Sequence, residues 1–289
     1  MTLRGACLVI ACIGWSIAVV PRASAQTMRA FSAIRPVHSE RLLIATLDFG
    51  SGRVVIQPGQ PGELYRAALR YDAERAAPIQ NYDPRTNSLH LGLESVGSGG
   101  VRVTSRTQLE QTARFEFSPD IPLSLTANLG AADATIDLGG TTLTELVINS
   151  GATRSSLAFS RPTRGDCRHA SFTVGASELD ARQLANAGCG EITVQGGVGR
   201  ASLGFEGEWR RDVAVVVDMA MGGVTLRVPR GTGLQITAAR FLSTLDAQGL
   251  TRNGNVWSTP GFATAKRKIT VELQASMAGV NVEWLGSKE

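Results

Sequence analysis

Five glycines recur at a nearly constant spacing in the second half of the chain. Gly130, Gly151, Gly175, Gly197 and Gly222 lie 21, 24, 22 and 25 residues apart. The residues five and three places before each glycine are apolar, and those four and two places before it are mostly polar. The apolar, predicted inward-facing residues are Leu125 and Ala127, Leu146 and Ile148, Ala170 and Phe172, Ile192 and Val194, and Val217 and Met219. Because successive strand side chains point to opposite faces, this alternation predicts a strand before each glycine.

The alternation resumes after each glycine, most weakly around Leu179 and Ala181. Because glycine enters positive-φ bends freely, each repeat is predicted to be a strand, a bend and a second strand. A period in the low twenties is typical of stacked repeats, in which one unit buries the apolar stripe of the next. The sequence therefore predicts an all-β, single-domain β-solenoid with rungs, or turns of the coil, of about 21–25 residues. One column of side chains is expected to contain Leu125, Leu146, Ala170, Ile192 and Val217.

The first 25 residues have the composition of a secretory signal peptide. A basic start at Arg4 precedes an apolar run over residues 5–20, and Ala23-Ser24-Ala25 precedes Gln26. This arrangement predicts cleavage after Ala25. The apolar run is shorter than the roughly 20 residues that span a bilayer. We therefore expect an exported protein, periplasmic or secreted, without a membrane span after removal of the signal.

Charge and composition narrow the possible partners. The chain has 29 basic and 25 acidic residues, and Arg4 and Arg22 lie in the predicted leader, which leaves 27 basic residues and a net charge of +2. This near-balance argues against a nucleic-acid partner. A low aromatic content of 6% and 32 glycines favour thin strands closed by tight bends.

Cys167 and Cys189 are the cysteines that remain after removal of the leader. Each lies eight residues before a repeat glycine, Gly175 or Gly197, so both take the same place in neighbouring rungs. Adjacent strands are about 4.8 Å apart, within the Cα separation that a disulfide tolerates. We predict a disulfide between the two rungs, although two unrelated core thiols would also fit the pattern.

The repeats are flanked by less regular segments. We expect residues 26–120 to form an N-terminal β region and residues 121–289 a repetitive β-solenoid continuous with it. Residues 62–77 fit either a strand or a helix, residues 97–100 a mobile loop, and residues 101–117 a strand pair. Leu234 and Ile236, followed by Leu242 and Leu245, suggest a sixth rung. A strand beginning at Lys266-Arg267-Lys268 and carrying Trp284 is expected to help cover the end of the stack.

Four segments resemble the toast-rack family, which includes the C-terminal domain of the cell-wall-active antibiotic response proteins. They are residues 50–59 (GSGRVVIQPG), residues 78–82 (PIQNY), and residues 121–131 (IPLSLTANLGA) with residues 146–152 (LVINSGA). The resemblance implies a β-solenoid at the bacterial envelope. In the antibiotic-response members the domain follows membrane helices and modulates a sensor kinase. This sequence has a predicted leader instead, so that role is not carried over, and the matching positions imply no functional residues.

Signals for chemistry are weak. The three histidines lack metal-ligand spacing, and the acidic residues Asp133, Asp137, Asp180, Asp218 and Asp246 take different places relative to the repeat glycines. No catalytic residue, cofactor or metal is predicted. Trp209, Arg210 and Arg211 form the best polar-aromatic cluster and are candidates for binding a sugar or an anionic polymer, against the simpler interpretation of a solvated turn.

The leading functional hypothesis is a non-catalytic, exported β-solenoid that serves as an envelope scaffold or as an interaction or adhesion module. Its expected partner is an envelope protein or polysaccharide, with homo-oligomers formed through the solenoid ends as a further expectation. The alternatives are a polysaccharide-acting β-helix enzyme and an envelope-stress sensor or regulatory domain.

Overall fold

A computed structural model describes residues 27–96, 111–241 and 245–286. The predicted signal peptide, its cleavage point after Ala25, the loop at residues 97–100 and residues 101–110 of the predicted strand pair lie outside these ranges. The described residues form one connected sheet of 17 strands. In these ranges, no helix has both the length and the apolar character needed to cross a membrane.

The first six strands belong to the less regular N-terminal segment. They are β1 (Met28–Pro36), β2 (Leu43–Pro58), β3 (Glu63–Asp72), β4 (Ala76–Asp83), β5 (Ser88–Ser95) and β6 (Thr112–Phe117). Residues 62–77, which fit either a helix or a strand, therefore contain strand β3 and the turn into β4.

The remaining strands form the repeats and the C-terminal end. They are β7 (Pro122–Asp137), β8 (Thr142–Ser150), β9 (Arg154–Ala158), β10 (His169–Arg182), β11 (Glu191–Gly204), β12 (Val213–Pro229), β13 (Gly233–Phe241), β14 (Leu245–Asp246), β15 (Thr251–Asn253), β16 (Val256–Ser258) and β17 (Lys268–Leu285). A four-residue helix, α1 (Leu184–Ala187), and a 3-10 helix (Phe262–Thr264) interrupt the connections.

The rungs stack in parallel, and each turns a corner. In β7, Leu129 and Ala132 are both buried although they are three residues apart, so the alternation shifts between them and the strand bends. The two halves of a rung on either side of this corner are its first and second legs. The connecting segments contribute the buried residues Phe159, Leu184 and Phe205 to the same core.

The predicted β-solenoid and its core are confirmed. All ten predicted inward residues before the glycines are at most 1% exposed. The weakest repeat also conforms, because Leu179 and Ala181 are buried in β10. The predicted column is correct over four rungs, since Leu125 faces Leu146, Leu146 faces Ala170, and Ala170 faces Ile192.

The assignment of the last member of the column was wrong by two residues. Ile192 faces Val215, whereas Val217 faces Val194. Gly222 lies opposite Gly199 and is therefore not the equivalent of Gly197. Glycine recurs at two neighbouring places of the corner, and the sequence alone does not show which of them Gly222 occupies.

Most of the corner glycines do not adopt the positive-φ conformation that was predicted for them. Gly222 has a positive φ of 127°, but Gly130, Gly151, Gly175 and Gly197 do not have positive φ angles. A side chain on Gly130 would collide with the carbonyl oxygen of Gly50 in the next rung, and one on Gly175 would meet the Gly151 carbonyl oxygen at 2.6 Å. Close approach of successive corners, rather than bend geometry, excludes a side chain at Gly130 and Gly175.

The C-terminal end differs from the predicted order. The sixth rung next to β12 is β17, which pairs in parallel with β12 over its whole length. Strands β13 and β14 pair with the other side of β17, so the segment beginning at Leu234 follows β17 in space. The strand that carries Trp284 is thus an interior rung and not a cap.

Antiparallel strands cover both ends of the stack, and those at the C-terminal end are short. At the N-terminal end, β4 pairs with β5. Strand β3 pairs with β6, and β1 pairs with the other side of β3. At the C-terminal end, β16 pairs with β13 and then with β15, a strand of three residues. Short edge strands limit pairing with another chain. Formation of homo-oligomers through the ends stays a prediction.

Candidate functional site

Trp209, Arg210 and Arg211 lie on the connection between β11 and β12. Two of these residues make structural contacts. The Arg210 guanidinium donates hydrogen bonds to the carbonyl oxygen of Gly165 at 2.9 Å and to Thr163 Oγ1 at 2.9 Å, and Arg211 forms an ion pair with Asp166. Because these bonds link connections of different rungs, the geometry favours a structural role for Arg210.

Trp209 packs against the core, and the cavity beside it is small. The indole is partly buried, and its Nε1 has no hydrogen-bond partner within the described part of the chain. The cavity that Trp209 lines with Arg211, Lys266 and Arg267 measures about 160 Å³. Ligand sites for small molecules are usually about 300–1,000 Å³. Ligand binding by this cluster stays a prediction.

Cys167 and Cys189 form a disulfide between consecutive rungs. Their Cα atoms are 4.3 Å apart, and each cysteine precedes by two residues a strand of a register-matched pair, β10 or β11. Both residues are at most 1% exposed. The bond therefore lies inside the stack, on the side from which Arg210 and Arg211 reach across the connections.

Two of the five acidic residues considered from the sequence, Asp137 and Asp180, are bound by neighbouring groups. Asp137 accepts hydrogen bonds from the backbone N–H groups of Gly139 and Ser160 at 2.9 and 3.1 Å. Asp180 accepts a hydrogen bond from Arg182 Nε at 2.8 Å and also pairs with Arg227. Partial burial opposes ionisation of Asp180, but the two arginines together lower the pKa of its carboxyl group. Arg182 and Arg227 therefore compensate the negative charge of the Asp180 carboxylate.

A larger pocket lies at the C-terminal end of the stack. It has a volume of about 620 Å³, which falls within the usual range of ligand sites. Four separate segments form it: the turn after β12, the turn after β14, the residues around the 3-10 helix, and the end of β17. Its polar and aromatic lining residues are Arg230, Thr232, Gln248, Thr259, Thr264 and Trp284.

The aromatic wall of this pocket is fixed by its neighbours. Trp284 donates a hydrogen bond from Nε1 to the carbonyl oxygen of Gln248 at 2.8 Å. Gly249 follows Gln248 with a φ of 84°, and a side chain on it would lie 3.3 Å from Trp284 Nε1. Glycine is therefore suited to this turn both by its backbone angle and by the closeness of the indole.

A cation lies at the same pocket. Arg230 donates from Nε to the carbonyl oxygen of Gly286 at 3.3 Å. Within residues 27–96, 111–241 and 245–286, no carboxylate lies within 4.0 Å of its guanidinium nitrogens. The pocket thus combines an indole and a cation with several hydroxyl groups, and we name it the Trp284 pocket.

Sequence reasoning did not identify the Trp284 pocket. Trp284 was assigned to an end-covering strand and Arg230 was not singled out, because the four segments are far apart along the chain.

Over the ranges that the structure describes, no group of three or more His, Cys, Asp and Glu side chains is arranged to hold a metal ion.

Two solved structures resemble the chain over most of its length. A proposed cell adhesion protein from Clostridium sporogenes has 19% sequence identity, with 89% of this chain and 100% of that chain covered and a TM-score of 0.47. A proposed adhesin from Bacteroides fragilis has 11% identity, with 88% and 97% covered and a TM-score of 0.35. No curated protein matches the sequence.

A family model matches about half of the chain. It describes the N-terminal domain of toast_rack, DUF2154, and it matches residues 24–168. The match includes the N-terminal strands and the first two corner glycines of the repeats, Gly130 and Gly151. The chain therefore belongs to the toast-rack family.

Proposed function

We propose that the protein is an exported, non-catalytic binding module that attaches to an acidic envelope polysaccharide through the Trp284 pocket. The observation that supports this function is the convergence of Trp284, Arg230 and hydroxyl-bearing side chains in one cavity of about 620 Å³. Residues 26–120 and 121–289 act in this proposal as one rigid support, since β2 pairs directly with β7.

The chemistry of the pocket suits a sugar ring that carries a carboxylate. An indole offers a broad apolar surface against which a sugar ring can pack. The hydroxyl groups of Thr259 and Thr264 donate their protons to backbone carbonyl oxygens but can accept hydrogen bonds from sugar hydroxyls, and the amide of Gln248 can donate or accept them. The guanidinium of Arg230 matches the geometry of a carboxylate. A uronic acid unit would use all three features.

Export is supported by two independent features. Disulfides persist mainly in oxidising compartments, and the Cys167–Cys189 bond is of the buried, structural kind. The predicted leader with cleavage after Ala25 leads to the same compartment. In the proposal, the mature chain begins at Gln26 and acts outside the cytoplasm.

Glycan binding by matched variants tests the proposal. The mature chain, residues 26–289, is titrated calorimetrically with acidic and neutral oligosaccharides that represent envelope polymers. We expect Trp284→Ala to weaken binding of the acidic ligand at least about tenfold, which corresponds to the loss of one well-packed aromatic contact. Arg230→Gln should weaken the acidic ligand and leave a neutral analogue unchanged.

Trp209→Ala and Arg211→Gln are the matched controls, because they alter the cluster singled out from the sequence. If they abolish binding while Trp284→Ala does not, the site is at that cluster and the present assignment is wrong. Release of new reducing ends during incubation would contradict the non-catalytic function and favour a polysaccharide-acting enzyme.

A further inference from the structure

Three arginines share the outer face of the second leg at the N-terminal end of the stack. In one row across the strands, Arg70 on β3 lies opposite Thr112 on β6, which lies opposite Arg53 on β2. In the next row, Arg114 lies between Ala68 and Val55. Arg114 is therefore diagonal to both other arginines, at a Cα spacing of about 7–8 Å.

Short side chains between these arginines leave a trough. Ala30 lies beside Arg70 and Ser32 beside Ala68, so the floor of both rows is made of small residues. The resulting groove has a volume of about 490 Å³. Arg53, Arg70 and Arg114 are exposed and line this groove, which we name the arginine groove.

Two carboxylates, Asp133 opposite Arg53 on β7 and Glu116 near Arg114, compensate the positive charge of the arginine groove only in part. Among the described residues, Arg53 and Arg70 have no carboxylate within 4.0 Å, and Arg114 reaches Glu116 only at 3.9 Å. Glu116 is also bound to Arg66 at 3.7 Å and to Gln57 at 2.9 Å. Like charges at this spacing repel one another in the absence of an anion.

We propose that the arginine groove binds phosphate groups of an anionic envelope polymer. Guanidinium forks donate paired hydrogen bonds that match phosphate oxygens, and three of them converge on one trough. This site is separate from the Trp284 pocket: β6 and β17 are seven strand steps apart in the stack, about 34 Å at ~4.8 Å per step. The proposal therefore goes beyond the saccharide-binding function and does not depend on it.

The charge pattern beside the groove favours a polymer over a membrane surface. The row that contains Arg53 continues with Asp133, Arg154, Glu178 and Arg200 on successive rungs. A broad anionic lipid surface lying against this face would meet the carboxylates of Asp133 and Glu178. A narrow phosphate-bearing chain can occupy the trough between β1 and β2 and avoid them.

Calorimetry with sodium tripolyphosphate tests the arginine groove in the mature chain. The triple variant Arg53→Gln, Arg70→Gln and Arg114→Gln should bind this probe at least about tenfold more weakly, since each lost charged hydrogen bond contributes to affinity. The control is Arg41→Gln, Arg161→Gln and Arg168→Gln, three exposed arginines whose removal changes the net charge equally. The control should remain within about twofold of the native chain. Equal losses in both triple variants would show general attraction and overturn the proposal.

Four further experiments distinguish the effects of guanidinium geometry, folding, lipid binding and the Trp284 pocket. Arg114→Lys retains the charge but not the paired donors, so its affinity should fall between those of the native chain and the triple variant. Thermal unfolding monitored by circular dichroism must show that each variant remains folded. Binding to phosphatidylglycerol vesicles without binding to tripolyphosphate would overturn the assignment to a polymer. Trp284→Ala should leave the affinity for tripolyphosphate unchanged. Failure of saccharide binding at the Trp284 pocket can therefore be distinguished from failure of phosphate binding in the arginine groove.

Discussion

The carbonyl oxygen of Gly50 occupies the space that a side chain on Gly130 would need. Successive rungs touch through their backbones at this corner, where a side chain would hold them apart. At Gly197 the spacing is looser, because the nearest atom to an added Cβ is the Gly175 carbonyl oxygen at 3.7 Å, an ordinary contact. Close backbone contact therefore requires glycine at this place of the repeat in one rung but not in another.

The difference in backbone spacing predicts opposite effects of a glycine-to-alanine substitution at Gly130 and at Gly197. Gly130→Ala should lower the free energy of unfolding by about 1–3 kcal/mol, since overpacking forces the corner backbone to shift. Gly197→Ala should leave it unchanged or raise it slightly, because alanine restricts the unfolded chain. Urea unfolding of both variants checks this expectation. An equal loss for both would contradict close approach as the reason for glycine at the corner.

Local repetition made the core predictable. Each strand carries its own alternation of apolar and polar residues, and neighbouring rungs repeat it, so Leu125, Leu146, Ala170 and Ile192 could be placed in one column from their spacing. The same positional argument leads from Cys167 and Cys189 to a bond between rungs. These inferences need only the sequence of consecutive rungs.

The remaining features depend on contacts between distant segments. Strand β17 lies between β12 and β13, although β13 follows β12 directly along the chain. Strand propensity does not encode which of two apolar strands pairs with β12. The Trp284 pocket and the arginine groove are assembled by this kind of long-range pairing, so no local motif identifies them.

Removal of the disulfide should destabilise the stack. The bond closes a loop with a sequence separation of 22 residues. For a loop of this length, the chain-entropy model gives a contribution of about 3 kcal/mol to the free energy of unfolding. The double variant Cys167→Ala and Cys189→Ala should lose about this amount in urea unfolding. Reduction of the native chain with dithiothreitol should lower stability similarly; unchanged midpoints in both experiments would contradict a structural role.

The cluster of Asp180, Arg182 and Arg227 should make stability depend on pH. The arginines lower the pKa of Asp180 below its usual value of 3.8. The unfolded chain therefore binds the proton more readily, and stability rises with pH over the interval between the two pKa values. The contribution is fully present above about pH 4 and is lost as pH falls through the lower, folded pKa.

Asp180→Asn should consequently reduce the decline in stability between pH 4 and pH 2 relative to the native chain. Asp246→Asn serves as the control, because Asp246 is an exposed carboxylate on β14 without an ion pair among the described residues. Thermal midpoints across this pH range provide the measurement. If both variants follow the native pH profile, the ion cluster does not contribute to acid stability.

Asn186 connects three successive rungs from inside the protein. Its Nδ2 donates to the carbonyl oxygen of Phe159 at 2.7 Å, and its Oδ1 accepts from the backbone N–H of Glu208 at 2.7 Å. Asn186 is 5% exposed, so water cannot readily replace these bonds. Asn149 makes a comparable bond, from Nδ2 to Asn128 Oδ1 at 2.8 Å, but it lies half-buried on the outer face.

The two asparagines form a matched pair for mutation to alanine. Asn186→Ala leaves the buried carbonyl oxygen of Phe159 unpaired, which costs about 1–3 kcal/mol, and it also removes the partner of the less buried N–H of Glu208. Asn149→Ala should cost less than about 1 kcal/mol, because solvent can satisfy the amide of Asn128. Urea unfolding of the two variants gives the comparison. A larger loss for Asn149→Ala would show that the outer polar ladder, rather than the buried amide, holds successive rungs together.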